Sequence, residues 1–297
     1  PVPHFPDDPL PLTRPPMRSF LSLLLVFWIP PLLLVACDST TLSLPAESAV
    51  APFSDGQVLQ YRYTVVEEPI GEPGTDTLRT QDVVVEVASL EASLDTLDRN
   101  PAGVSLTDLV EVHAYDASDP QQRETVWYVQ SPDSLVEVAY RNTGRLPVVT
   151  AGTSGMDEDA GGWLGLPRLV RARLAAPART QRTSEVGIRL RDDPRIVYRA
   201  PLEPGLSWPS FRDPFLQTRT VVGAERMTTP AGTFDTVLIE TTSSTFNDLR
   251  WQDRVAPEGL VERIVQDTIT VRGPNNQPEG RAVLTETLRL TGVSSTP

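Results

Sequence analysis

The residues able to do chemistry in this chain are few. It has one cysteine, Cys37, and two histidines, His4 and His113. A Ser-His-acid triad needs His113, yet no Gly-x-Ser-x-Gly nucleophile turn occurs. His113 follows Glu111 on one face of residues 109–115, opposite Val110, Val112 and Ala114, and reads as a surface histidine. Zinc sites draw on several Cys or His ligands, which the chain does not supply. Asp157-Glu158-Asp159 beside Gly161-Gly162 offers oxygen ligands, but the spacing departs from an EF-hand loop and reads as a solvated acidic loop. Carboxylate pairs for glycoside hydrolysis are assembled by folding and leave no local spacing; Asp253 and Glu258 are the candidates for that chemistry. Gly-rich phosphate loops and dinucleotide fingerprints are missing from the sequence. The expectation is a non-enzymatic protein with no catalytic residue, no metal and no cofactor.

A single cysteine excludes an intramolecular disulfide and leaves Cys37 for other chemistry. Met17-Arg18 opens a basic start, residues 20–35 form a nearly unbroken apolar run, and the run ends in Leu34-Val35-Ala36-Cys37. This arrangement resembles a bacterial lipoprotein signal peptide with its lipobox. In that family the thiol takes a diacylglyceryl group through a thioether, and a small residue such as Ala36 admits the signal peptidase before Cys37. The competing reading is a transmembrane anchor, but the run falls short of the roughly 20 residues that span a bilayer, and Pro30-Pro31 interrupts it. The resemblance implies lipidation at Cys37 and attachment to the inner or outer membrane of a bacterial cell envelope.

The expected organisation follows. Residues 1–16 are proline-rich and read as a non-translated or disordered extension, with translation starting at Met17. Residues 17–36 are the signal peptide, 37–54 a flexible Ser/Thr/Ala/Pro-rich tether, and 55–297 a β domain.

Formal net charge is −13, and the four charged residues before Cys37 cancel, so the surplus lies after it. An acidic field repels nucleic-acid phosphates and anionic head groups. Nucleic-acid partners are therefore not expected, and membrane contact is expected through lipid on Cys37. Every basic residue is arginine. High-salt solvation and high-GC codon bias both yield that composition.

Residues 57–68 place Leu59, Tyr61, Tyr63 and Val65 on one face of a half-buried strand. Similar runs follow at 78–88, 109–115, 124–129 and 135–140, and again at 196–199, 216–225, 234–245, 260–271 and 282–290, with turn-forming residues between them. These predict an all-β fold made of a single large antiparallel sheet, because neither half has a helical layer of its own. Residues 151–185 break the pattern and read as one long loop insertion. Trp127, Trp163, Trp208 and Trp251 are large enough to line the concave face of a bent sheet and are the candidate ligand-lining residues.

In the C-terminal half, Gly205-Leu206-Ser207-Trp208 is followed by Pro230-Ala231-Gly232-Thr233-Phe234 and then by Ala256-Pro257-Glu258-Gly259-Leu260-Val261. This order resembles a group of uncharacterised bacterial envelope β-sheet proteins. That resemblance implies a strongly curved half-barrel similar to the periplasmic lipoprotein carriers. The function expected is binding of an apolar ligand or an envelope protein partner. Two alternatives stand beside it: a structural or assembly component of an envelope complex, and a hydrolase with carboxylates brought together by folding.

Overall fold

The computed structural model describes residues 53–71, 73–94, 103–143, 187–212, 216–272 and 277–295. The lipobox-like residues Leu34, Val35, Ala36 and Cys37, the acidic run Asp157-Glu158-Asp159, Trp163 and the 151–185 insertion lie outside them.

The described residues form twelve antiparallel strands in one sheet. In chain order they are β1 (Gln57–Pro69), β2 (Asp76–Ala92), β3 (Leu109–Asp116), β4 (Asp119–Ser131), β5 (Ser134–Thr143), β6 (Arg189–Arg199), β7 (Ser207–Phe211), β8 (Gln217–Thr229), β9 (Gly232–Ser243), β10 (Arg250–Ala256), β11 (Gly259–Arg272) and β12 (Pro278–Ser295). The all-β, single-sheet expectation holds. β5 and β6 flank the insertion and pair with each other, so the chain re-enters the sheet that it left.

The strand order is β6-β5-β4-β3-β2-β1-β12-β11-β10-β9-β8-β7. Each strand lies beside its sequence neighbour, except that β1 and β12 pair in the middle and β6 and β7 stand at the two ends. The sheet curls into a nearly closed barrel in which those ends meet. Trp208 Nε1 and Ser210 Oγ of β7 both donate to the Ile196 carbonyl of β6, at 3.2 and 2.8 Å. The Arg212 amide donates to Asp193 Oδ2 at 2.9 Å. Side chains, rather than a backbone ladder, hold this seam among the described residues.

Alternation sets the inner face. Leu59, Tyr61, Tyr63 and Val65 of β1 join Val83, Val85 and Val87 of β2, and Leu284, Leu288 and Leu290 of β12, in the main core. Barrels of about eight strands are just filled by ordinary side chains. A twelve-stranded one is wider, and long Trp, Tyr and Arg side chains extend across this interior. On the outer face a second cluster packs Leu94 and Leu106 from the β2–β3 connection onto Leu109, Trp127 and Val138.

Three hairpins share one turn design. Ser131-Pro132-Asp133-Ser134, Thr229-Pro230-Ala231-Gly232 and Ala256-Pro257-Glu258-Gly259 each pair their outer residues across a two-residue loop that starts with proline. Proline fixes φ for the first turn position. Gly232 and Gly259 then adopt φ of 141° and 121°, which L side chains rarely take.

Two strands escape the sequence reading. β7 begins inside the Gly205-Leu206-Ser207-Trp208 motif, and β10 has charges on both faces.

Candidate functional site

Buried charge distinguishes the barrel interior. Trp251 and Asp253 share the inner face of β10, and Trp251 Nε1 donates to Asp253 Oδ1 at 2.8 Å. Arg263 stands directly across the β10–β11 ladder. It donates to the same carboxylate twice, from Nε to Oδ1 at 2.8 Å and from Nη2 to Oδ2 at 3.0 Å. Arg219 reaches in from β8: Nη2 donates to Asp253 Oδ2, and Nη1 donates to the Val197 carbonyl of β6 at 2.6 Å. Asp253 and Arg219 are fully buried. The Arg219 and Arg263 guanidiniums lie 5.6 and 5.1 Å from the Trp251 ring centroid, and Arg219 lies 5.4 Å from that of Tyr198. Such contacts add cation–π attraction to the ion pairs.

A second carboxylate repeats the pattern. Glu137 of β5 accepts from Arg191 Nε at 2.6 Å and pairs with Arg195 Nη2 at 2.9 Å, both from β6. Glu137 and Arg195 are fully buried. Tyr128 of β4 is the register partner of Glu137 and feels the charges of Glu137, Arg195 and Arg263.

Burial pushes the Asp253 carboxyl up, but the charges of Arg263 and Arg219, with hydrogen bonds from Arg263 and Trp251, outweigh burial and hold it well below the usual carboxylate range. Burial raises the Tyr198 hydroxyl to about 12, with Asp253 adding to the rise. Desolvation lowers Arg195, against the charge of Glu137. A carboxylate fixed in its ionised form is poorly matched to proton transfer near neutral pH, and arginine stays charged. The arrangement suits clamping of the seam.

Trp208 and Trp251 are in the interior, both 1% exposed, with their indole N–H groups already bound to protein. Trp127 lies on the opposite face in the outer cluster, where Nε1 donates to Glu111 Oε2 at 3.2 Å. The structure therefore brings Trp208 and Trp251 to the same face and Trp127 to the other. His113 is on the outer face, as expected, but its side chain is only 14% exposed and holds Glu111 Oε1 at 2.8 Å. Asp253 is in the interior, whereas Glu258 is exposed in the β10–β11 turn and its carbonyl accepts from Gln57 Nε2 at 2.8 Å. Among the described residues, no group of three or more His, Cys, Asp or Glu side chains could hold a metal ion.

Comparison with protein-family models and with curated proteins gives no match. Among solved structures, a proposed lipoprotein from Parabacteroides distasonis is 12% identical with a TM-score of 0.31, over 81% of this chain and 96% of that one. A proposed exported protein with a YmcC-like fold from Bacteroides fragilis is 12% identical with a TM-score of 0.34, over 82% of this chain and 98% of that one.

The interior arginines and Glu137 are absent from the sequence-level candidates, although a signal for some of them exists. Arg263 sits between Val261 and Val265, and Asp253 between Trp251 and Val255, each flanked two residues away on both sides by buried apolar positions. A charge at the centre of an apolar strand face marks an interior ion.

The outer face carries its own ionic chain. Arg254 of β10 donates to Glu225 of β8 and, at 3.0 Å, to Glu262 of β11, which accepts from Arg289 of β12 at 2.7 Å. An open cleft of about 540 Å³ beside it is lined by Arg62, Thr64, Pro230, Thr287, Arg289 and Thr291. Both arginines of that cleft already hold carboxylates, Asp82 and Glu262.

Proposed function

We propose that this chain is a lipoprotein of the bacterial cell envelope, attached to a membrane by lipid on Cys37, whose β domain works by binding rather than by catalysis. The observation that carries the reading is Leu34-Val35-Ala36-Cys37 at the end of the apolar run 20–35, upstream of the barrel. The domain's interior supports the second half: its best-formed charged group, Asp253 between two arginines, is built to hold charge in place and not to move a proton. Trp208 and Trp251 add large apolar surface to the same interior.

Expression from Met17 in a bacterial host, followed by membrane fractionation, tests the attachment. Wild type is expected in the membrane pellet and Cys37→Ala in another state, either soluble or retaining its apolar leader. Identical fractionation and identical leader processing in the two proteins would remove Cys37 from the explanation.

A further inference from the structure

We infer that the outer cleft where β1 meets β12 binds a ligand bearing a phosphate monoester, held between Arg62 and Arg289. The inference rests on the reading that the domain works by binding, and it names a ligand class for it.

A clash of charge in an otherwise matched row carries the inference. Asp82 of β2, Arg62 of β1, Arg289 of β12, Glu262 of β11 and Arg254 of β10 are successive register partners on the outer face. Signs are opposite at every step of that row but one, where Arg62 stands directly across from Arg289. Side chains so paired have Cβ atoms about 5 Å apart, and like charges in that position are destabilising. The open cleft of about 540 Å³ lies at this like-charged step and is lined by both arginines. An anion bound there relieves the one mismatch in the row.

Neighbouring residues make the cleft rich in donors. Thr64 and Thr287 are the next pair on the same face of the same two strands. Thr291 is the extra residue of the bulge that shifts the β1–β12 register between Gln60 and Tyr61. Pro230, in the turn between β8 and β9, adds an apolar wall. Arg62 donates Nε to Asp82 Oδ1 at 2.6 Å, which leaves Nη1 and Nη2. Arg289 holds Glu262 Oε1 with Nε at 2.7 Å and Nη2 at 2.5 Å, which leaves Nη1. The carboxylates therefore steady the guanidiniums without using up their donors. Both arginine side chains are about half exposed, at 52 and 49%, so a ligand can reach them.

The donor set selects the ligand. Two guanidiniums and three hydroxyls offer more donors than the two oxygens of a carboxylate accept, and the lining among the described residues includes no acid. A phosphate monoester brings three terminal oxygens and close to two negative charges, one for each arginine. A cleft of this volume suits a small organic ligand, so the phosphate is the anchor and the group it esterifies lies against Pro230 and the threonine methyls. The net charge of −13 opposes anions at long range, so recognition comes from these contacts and not from steering.

The test is calorimetric titration of the detergent-solubilised full chain with glycerol phosphate, against glycerol and against sodium acetate at matched ionic strength. Saturable binding of glycerol phosphate, tighter than acetate and absent with glycerol, is expected for wild type. Arg62→Gln and Arg289→Gln are expected to weaken it about tenfold each, the loss of roughly one charge-assisted hydrogen bond. Arg226→Gln changes an exposed arginine outside the cleft and is expected to leave it unchanged. Arg62→Gln gives up only an exposed ion pair and relieves the like-charge contact, so its denaturation midpoint is expected at or above that of wild type, which separates lost binding from lost fold. Phosphatidic acid in mixed micelles distinguishes the sources of the phosphate: tighter binding than glycerol phosphate assigns a lipid head group, and equal or weaker binding assigns a soluble phosphoester. Absence of saturable binding of either phosphate to wild type would overturn the site, while leaving the Cys37 attachment to its own fractionation test. Binding of equal affinity in wild type and both glutamine variants would keep a binding domain and remove this site from it.

Discussion

Arg219 on β8 donates one guanidinium nitrogen to Asp253 on β10 and another to the Val197 carbonyl on β6, so a single side chain ties the β6 end of the sheet to β8 and β10 across the interior. With Trp208 and Ser210 bound to the adjacent Ile196 carbonyl, it closes a seam between end strands that no backbone ladder joins among the described residues.

Removing the shared carboxylate leaves two buried guanidiniums facing each other. Asp253→Ala is expected to cost about 3–5 kcal/mol, read as a lowered denaturation midpoint. Arg226→Ala breaks an exposed pair with Asp235 and is expected to leave the midpoint unchanged. Replacing Arg219, Asp253 and Arg263 together by Met, Leu and Met is expected to be milder than Asp253→Ala alone, because the two guanidiniums leave together with the carboxylate they share.

Acid stability follows from the same carboxylate. Its folded value is held below the ordinary 3.8 of aspartate, so its contribution is fully present above that pH and is lost as pH falls through the folded value. Glu111, held below 4.5 chiefly by the hydrogen bond from His113, acts in the same direction on the outer face. Equilibrium unfolding measured down the acid range should therefore show a shallower acid limb in Asp253→Asn than in wild type.

The alkaline limb is set by tyrosines. Burial raises Tyr198 from 10.0 to about 12 and raises Tyr61 and Tyr128 in the same direction. Their contribution is fully present below pH 10 and is lost as pH rises through the folded values. Ultraviolet titration of phenolate should show these three ionising above the ordinary tyrosine range near pH 10, or together with unfolding.

The two faces of the sheet predict different consequences for tryptophan. Trp127→Ala opens the outer cluster and is expected to cost about 3–5 kcal/mol, without disturbing the Asp253 group on the other face. Trp251→Phe keeps most of the volume but removes the hydrogen bond to Asp253, and is expected to change the tryptophan emission spectrum and weaken the Asp253 group.

How much of this was readable beforehand depended on what each residue type signals. The strands at 57–68 and 282–290 were legible because Tyr61, Tyr63, Leu288 and Leu290 alternate with polar residues, and a period of two has one structural meaning. β10 was not, because Asp253 occupies an inner position where alternation expects an apolar residue. β7 was hidden by its length of five residues and by Pro209. The interior network depends on pairings between strands far apart in sequence, Arg219 with Asp253 and Glu137 with Arg191 and Arg195, which no local pattern encodes. Trp127, Trp208 and Trp251 are legible as large apolar groups, but their faces are not, since a one-residue difference in register exchanges inside for outside.

The most direct measurement is the intact mass and N-terminal peptide of the membrane-extracted protein expressed from Met17. The expected product begins at Cys37, carries the mass of a thioether-linked diacylglyceryl group, and loses that mass in Cys37→Ala. A product that retains residues 17–36, or one that begins at Cys37 with a bare thiol, would contradict the lipoprotein assignment.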